Sequence, residues 1–261
     1  MTSASDASVR KRLPREELRR RILDAGQDLL ASGGLTVGLQ HLNMEQLIRR
    51  VGLPRSSVFA AFGGKEELVT ELMVHALRSP GGGTSVGFSN ATVETAMSVL
   101  AAHADRMRDA AGDPDPAGQE AVFAELVRRV LQVNIEDTTT STQWQTYMAL
   151  SVSVRSLPAG RRERVREALR EADARYVDEM AAVYRHVLAA VGRRPREGYT
   201  IQRIATVGAS LIEGLVARRL IGSADAEAVV TRPGLDGEPV EWPIGAIAFF
   251  ALVQDMTERV D

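Results

Sequence analysis

Cysteine is absent from the 261 residues, which excludes disulfide frameworks, thiolate metal ligands and cysteine nucleophiles together. No hydrophobic run is long enough for a membrane: the most apolar stretch, residues 244–253, falls far short of the roughly 20 residues a spanning helix needs. The N-terminal stretch MTSASDASVRKRLPREELRRR lacks the apolar core of a secretory signal. A cytoplasmic protein with no membrane partner is expected. Lysine is nearly missing as well, with Lys11 and Lys65 the only two among 32 basic residues. Each of them is therefore worth a reason.

What is present reads as a packed, helical protein. Hydrophobic residues reach 44%, enough for a sizeable core at this length. The net charge is −2, so the chain as a whole does not attract polyanions, yet its charge is unevenly spread. Residues 1–78 hold 12 basic against 9 acidic side chains, and the remainder holds 20 against 25. Arg10, Lys11, Arg12, Arg15, Arg19, Arg20 and Arg21 crowd the N-terminal end, where they can solvate a helix face or meet phosphate.

Helical periodicity runs through the chain. Leu18, Ile22, Ala25, Leu29 and Leu30 mark one apolar face of a first helix, with Pro14 near its start and Gly33-Gly34 as its stop. A second helix is expected at 44–51 with Asn43 as its N-cap. A third opens at Pro54, and Gly63-Gly64 separates it from a fourth that ends near Arg78. The stretch SPGGGTSVGFSN, residues 79–90, reads as a linker. Beyond it the pattern predicts helices near 91–110, 118–136, 139–157, 159–191, 200–222 and 243–258. Strand patterning is thin, with 228–231 and 239–242 the only weak candidates. The fold class is all-α.

Two of these helices are barely two turns long, a length that is marginal in water. A helix, a tight turn at Gly52 and a second short helix make a helix-turn-helix. Leu47, Ile48, Val51, Leu53, Val58 and Phe62 would close a small core over the first helix. That leaves Arg55, Ser56, Ser57 and Phe59 outward, as small or polar groups able to approach base edges and phosphates in a major groove.

The run Leu42-Asn43, Leu47, Val51-Gly52-Leu53, Ser57-Val58-Phe59, Phe62, Lys65 and Leu68 resembles the DNA-binding domain of the TetR family of helix-turn-helix transcriptional repressors, over about residues 14–78. The resemblance implies a flexible basic arm at 1–13 and a three-helix DNA-binding domain with its linking fourth helix at 14–78. After the linker at 79–90 it implies a larger helical-bundle domain at 91–261 for ligand binding and dimerisation. The implied partners are a double-stranded DNA operator, a small-molecule effector and a second copy of the chain, with no cofactor. In this likeness Asn43 matches the cap that touches phosphate, Ser57 the usual threonine, Phe59 the usual tyrosine and Lys65 the phosphate-binding lysine. A cation at a helix start opposes the helix dipole. An anion held jointly by Lys65 and the free N–H groups there gives that lysine a purpose.

The chain also departs from the family pattern. Phe59 has no hydroxyl for phosphate, Ala60 and Ala61 stand where polar or basic residues often sit, and the connection 34–43 is longer than usual. The N-terminal basic arm is the candidate for the missing phosphate contacts.

Enzymatic readings find no constellation to rest on. His41, His75, His103 and His186 lack metal-ligand spacing, Gly63-Gly64-Lys65 lacks the earlier glycine of a phosphate-binding loop, and no GxSxG occurs. The alternatives to an effector-controlled repressor are a constitutive or architectural DNA-binding dimer, or a helical adaptor whose DNA face has been lost. For an effector, Phe123, Trp144, Tyr147 and Met148 are the candidate contacts, the last three at i, i+3 and i+4 on one helix face. For dimerisation, Ile201, Ile204, Val207, Leu211, Leu215 and Val216 on one helix and Ala246, Phe249, Phe250 and Val253 on the last make faces too broad for one neighbour.

Overall fold

The computed structural model describes residues 14–33, 44–78 and 88–260, the first of these with side chains as far as Leu30. The expected basic arm, the capping residue Asn43 and residues 79–87 of the expected linker lie outside the described residues. Ten α-helices are described: α1 Arg15–Gly33, α2 Met44–Val51, α3 Arg55–Phe62, α4 Lys65–Arg78, α5 Asn90–Ala102, α6 Pro116–Thr140, α7 Thr142–Ser153, α8 Ala159–Ala190, α9 Ile201–Leu220 and α10 Ile244–Met256. Two small antiparallel pairs accompany them. The strands β1 (Arg193–Pro195) and β4 (Thr257–Arg259) form one pair, and β2 (Val229–Pro233) and β3 (Pro239–Pro243) form the other.

The chain divides into two compact units, and the division is not the one expected from the sequence. Residues 145–169 group with those of 1–81, while 82–144 group with 170–261. The expected regulatory domain was continuous over 91–261. Ion pairs tie the two parts of the first unit together. On α8, Arg161 lies 2.9 Å from Glu66 of α4, and Arg164 forks onto Glu67 and Glu71 of the same helix.

In the first unit the short helices are held by their neighbours. Ile22 of α1, Leu47 of α2, Val58 of α3 and Leu68 and Leu72 of α4 meet in one core, all of them at most 1% exposed. Full burial of side chains this size contributes about 1.5–3 kcal/mol each. The turn between α2 and α3 needs Gly52, whose φ of 70° is the left-handed region. At the end of α3, Gly63 N–H bonds to Ala60 and Gly64 N–H to Phe59, the Schellman pattern that stops a helix. Two arginines of the expected basic cluster are used here rather than left free. Arg15 and Arg19 both donate to the Ala61 carbonyl, at 3.3 and 3.2 Å, and Arg19 also stands 4.5 Å from the centre of the Phe62 ring. Their positive charge meets the negative end of α3.

In the second unit, several predicted helices change length for local reasons. The helix expected at 91–110 ends at Ala102, gives way to a single 3-10 turn over Ala104–Met107, and is followed by a turn built on Asp109. There the carboxylate accepts from the N–H groups of Ala111 and Asp113, and Arg108 pairs with Pro114. Asp115 then caps α6 and Pro116 occupies its first turn. The break before α7 falls at Ser141, whose hydroxyl accepts the Trp144 N–H. The weak strand candidates at 228–231 and 239–242 are realised as the β2–β3 hairpin. Trp242 anchors it at 5% exposure, 6.1 Å from the Phe250 ring centre. The β1–β4 pair has no forewarning in the sequence, since its anchor is a charged residue. Arg193 is buried, bonded to Thr257 Oγ1 at 2.8 Å and to Glu120 at 2.9 Å.

The expected dimer faces are narrower than the sequence suggested. Ile204, Val216, Ala246, Phe249 and Val253 are buried within the chain itself. Val207 remains 43% exposed.

Gly52 has no atom near the position a Cβ would take, so its replacement tests backbone strain alone. Gly52→Ala is expected to lower the stability of the first unit by about 1 kcal/mol. Urea denaturation followed by circular dichroism reads this, and an unchanged midpoint would refute the strained turn.

Candidate nucleic-acid interface and ligand cavity

The outward face of α3 carries what the sequence placed there. Arg55, Ser56 and Ser57 are exposed, and Phe59 is half-buried under the Arg55 guanidinium, 5.4 Å from the ring centre. The first bonds of α3 run from Ser57 and Val58 to the Pro54 carbonyl, and Pro54 supplies no side-chain cap. The N–H groups of Arg55 and Ser56 therefore point out of the helix start, together with its positive dipole end. A phosphate or a base acceptor suits that end.

Lys65 begins α4, exposed and without an ion pair among the described residues. Glu66 and Glu67 follow it and would repel a phosphate held by the lysine. Both are instead neutralised by arginines, Glu66 by Arg161 and Glu67 by Arg164. The Arg164 guanidinium is held further into its charged form by the hydrogen bond and the charge of Glu67. Lys65 is left as the uncompensated charge of that turn. Ala60 is exposed, whereas Ala61 is buried and offers its carbonyl to Arg15 and Arg19.

The second unit contains a largely apolar, partly open cavity of about 50 Å³. Its walls come from Phe88, from Thr92 and Ala96 of α5, from the α6 face between Phe123 and Asn134, from Val183 to Leu188 of α8, and from α9 and α10. No lining side chain is charged. Phe88, Tyr184 and Phe249 follow one another across it, the first pair tilted and the second edge-to-face, with ring centres 5.7 and 6.0 Å apart. Burial pushes the Tyr184 phenol well above its ordinary pKa, so it stays neutral.

Of the four effector contacts expected from the sequence, Phe123 lines this cavity; Trp144, Tyr147 and Met148 do not. Trp144 is buried beside the Glu213 carboxylate of α9, though its indole N–H makes no well-formed hydrogen bond. Tyr147 and Met148 are half-buried on the part of α7 that belongs to the first unit. Sequence reasoning missed Phe88 and Tyr184. A usable signal existed: Val183, Tyr184, Val187 and Leu188 break the charged pattern of α8 with an apolar patch at i, i+1, i+4 and i+5.

No protein-family model and no curated protein matches the sequence. Solved structures of transcriptional regulators, many of them TetR-family members, resemble the chain over most of its length. One is a protein described as a transcriptional regulator from Saccharomonospora viridis, solved in complex with choline. It is 16% identical over 94% of this chain and 100% of that one, at a TM-score of 0.47. Reduced NemR from E. coli is 12% identical over 93% and 98%, at a TM-score of 0.47. A TetR-family regulator from Cytophaga hutchinsonii is 12% identical over 96% and 100%, at a TM-score of 0.46.

Glu213 sets a pH dependence. Burial first, and the like charge of Asp173 second, raise its carboxyl pKa, against the opposing effect of the Trp144 indole. A carboxyl whose folded pKa is raised favours the folded state while protonated, and that contribution is lost as pH rises through the folded value. At neutral pH the ionised Glu213 is therefore a penalty. Glu213→Gln is expected to melt at a higher temperature than the parent at pH 7.5, with the difference vanishing near pH 4. An equal difference at both values would show that charge is not the cause.

Proposed function

We propose that the protein is a ligand-responsive transcriptional regulator of the TetR type, a repressor that binds a palindromic operator as a homodimer and is released by a small-molecule effector. The observation that carries this reading is the helix start of α3. Its unbonded N–H groups and the exposed Arg55, Ser56 and Ser57 are presented by a two-turn helix that a buried core holds rigid. Lys65, freed of its acidic neighbours, is the phosphate anchor beside it. The second unit supports the effector half of the reading, because its apolar cavity is the kind of space that small ligands occupy between bundle helices.

A repressor of this kind needs two reading helices, and the surface of α9 supports a second copy. Val207, Leu220 and Ile221, on and just beyond that helix, are 43, 51 and 81% exposed, and Ile247 and Leu252 of α10 are half-buried. Packed against their symmetry mates, two such helix pairs make a four-helix bundle. Sedimentation equilibrium at micromolar concentration should give a dimer, and Val207→Glu should shift it toward monomer. A monomeric parent protein would refute the dimeric half of the proposal.

Binding to duplex DNA tests the reading face. Lys65→Ala should weaken specific and non-specific duplexes alike and reduce the salt slope by about one per subunit. Arg55→Ala should instead relax preference at one base position, by about 1–3 kcal/mol. The measurement is a salt titration of fluorescently labelled duplexes, with bound sequences selected from a random pool. Absence of affinity for any duplex at low salt would favour a helical adaptor over a regulator.

A further inference from the structure

The cavity of the second unit discriminates between ligands by what it lacks. Seventeen side chains line it, and the polar ones are Thr92, Asn134 and Tyr184. The Thr92 hydroxyl lies 3.0 Å from that of Ser89, and Asn134 already has a partner. The Tyr184 hydroxyl has no hydrogen-bond partner among the described residues, and burial alone accounts for its raised pKa. Gly208 of α9 makes room beside it. A Cβ at that position would stand 3.1 Å from the hydroxyl and 2.7 Å from Phe249. Tyr184 is half-buried, and a ligand that covers its hydroxyl must offer that hydroxyl a partner.

We propose that this cavity takes a compact, uncharged ligand of the ketone or ester class, held by its apolar walls and by one hydrogen bond from the Tyr184 hydroxyl to the ligand's carbonyl oxygen. The inference rests on the effector reading above and narrows it. Size follows from volume. About 50 Å³ is room for at least roughly four water-sized spheres, so a molecule as small as butan-2-one, with its five non-hydrogen atoms, is a suitable probe. Charge is excluded by the lining, because a carboxylate or an ammonium would lie buried with no opposite charge to meet it. An alcohol could accept from Tyr184 as well, but its own O–H would then need the Thr92 or Asn134 oxygen, both of which already have partners. A carbonyl brings an acceptor and no donor.

The test uses the full-length protein with isotopically labelled valine and leucine methyl groups, followed by nuclear magnetic resonance. Butan-2-one, butyrate, butylammonium and xenon are each titrated at matched concentrations. Butan-2-one should shift the methyl signals of Val127, Leu188 and Val253 saturably, and the two ions should bind at least tenfold more weakly. Xenon should shift the same signals in the parent and in Tyr184→Phe. That variant should bind butan-2-one about fivefold more weakly, the effect of one net hydrogen bond. Equal binding of either ion, unchanged ketone affinity in Tyr184→Phe, or no response to xenon would each overturn the proposal. DNA release is measured separately. Saturable ketone binding with unchanged duplex affinity would refute the effector role and leave the ligand class standing. Release of DNA by a charged molecule that displaces xenon would do the reverse.

Discussion

Eight residues make little more than two helical turns, and α2 and α3 each have only eight. Helices of that length do not persist alone in water. Everything about the first unit follows from supplying what they lack. Ile22, Leu68 and Leu72 bring apolar surface from α1 and α4, and Leu47 and Val58 meet it from the short helices. Gly26 lets α1 and α4 approach closely, since any Cβ there would run into the Leu72 side chain. The turn at Gly52 fixes the angle between α2 and α3, and the Gly63-Gly64 stop frees the chain to begin α4 at once. A helix held this firmly can present its N-terminal end without deforming.

Arginine does most of the polar work inside the molecule. Arg15 and Arg19 satisfy a carbonyl at the C-terminal end of α3, where four such groups have no helical partner. Arg193 joins β1 to β4 and to Glu120 of α6, using several of its donors at once. Arg164 forks onto two glutamates of α4. A planar guanidinium with five donors suits such ties better than an ammonium does. The described lysine, Lys65, is outside all of them. An ammonium is a mobile, strongly hydrated point charge, and its exposure fits transient contact with phosphate better than a permanent internal bond.

The second unit separates its chemistry by depth. Charged networks lie apart from the cavity lining, at the buried Arg193 with Glu120 and at the exposed Arg106–Asp236 pair. The cavity between α5, α6, α8, α9 and α10 is walled mainly by hydrocarbon and four aromatic rings, with Thr92, Asn134 and the Tyr184 hydroxyl as its polar groups. A void of this kind loses dispersion contacts along its lining. The fold tolerates it, and a ligand that restores those contacts would favour whichever conformation keeps the cavity open.

Periodicity and punctuation were enough to determine the all-α class, the short helix pair around Gly52 and the outward positions Arg55, Ser56 and Ser57. Those properties are local: a 3.6-residue repeat, a glycine where φ is positive, a proline before a helix. The aromatic stripe Trp144, Tyr147 and Met148 was equally visible, but which face of a buried helix meets a void is settled by distant neighbours. Here Phe123 of α6 and Tyr184 of α8 reach the cavity, and Trp144 packs beside Glu213 instead. Tertiary structure likewise turned Arg15 and Arg19 inward, since the carbonyl they cap lies more than forty residues away in the chain. It also placed residues 145–169 with the N-terminal helices, where charge pairs that no local pattern encodes join α4 to α8. Contacts between residues far apart in sequence carry no signature in either partner alone, and only the folded chain brings them within reach.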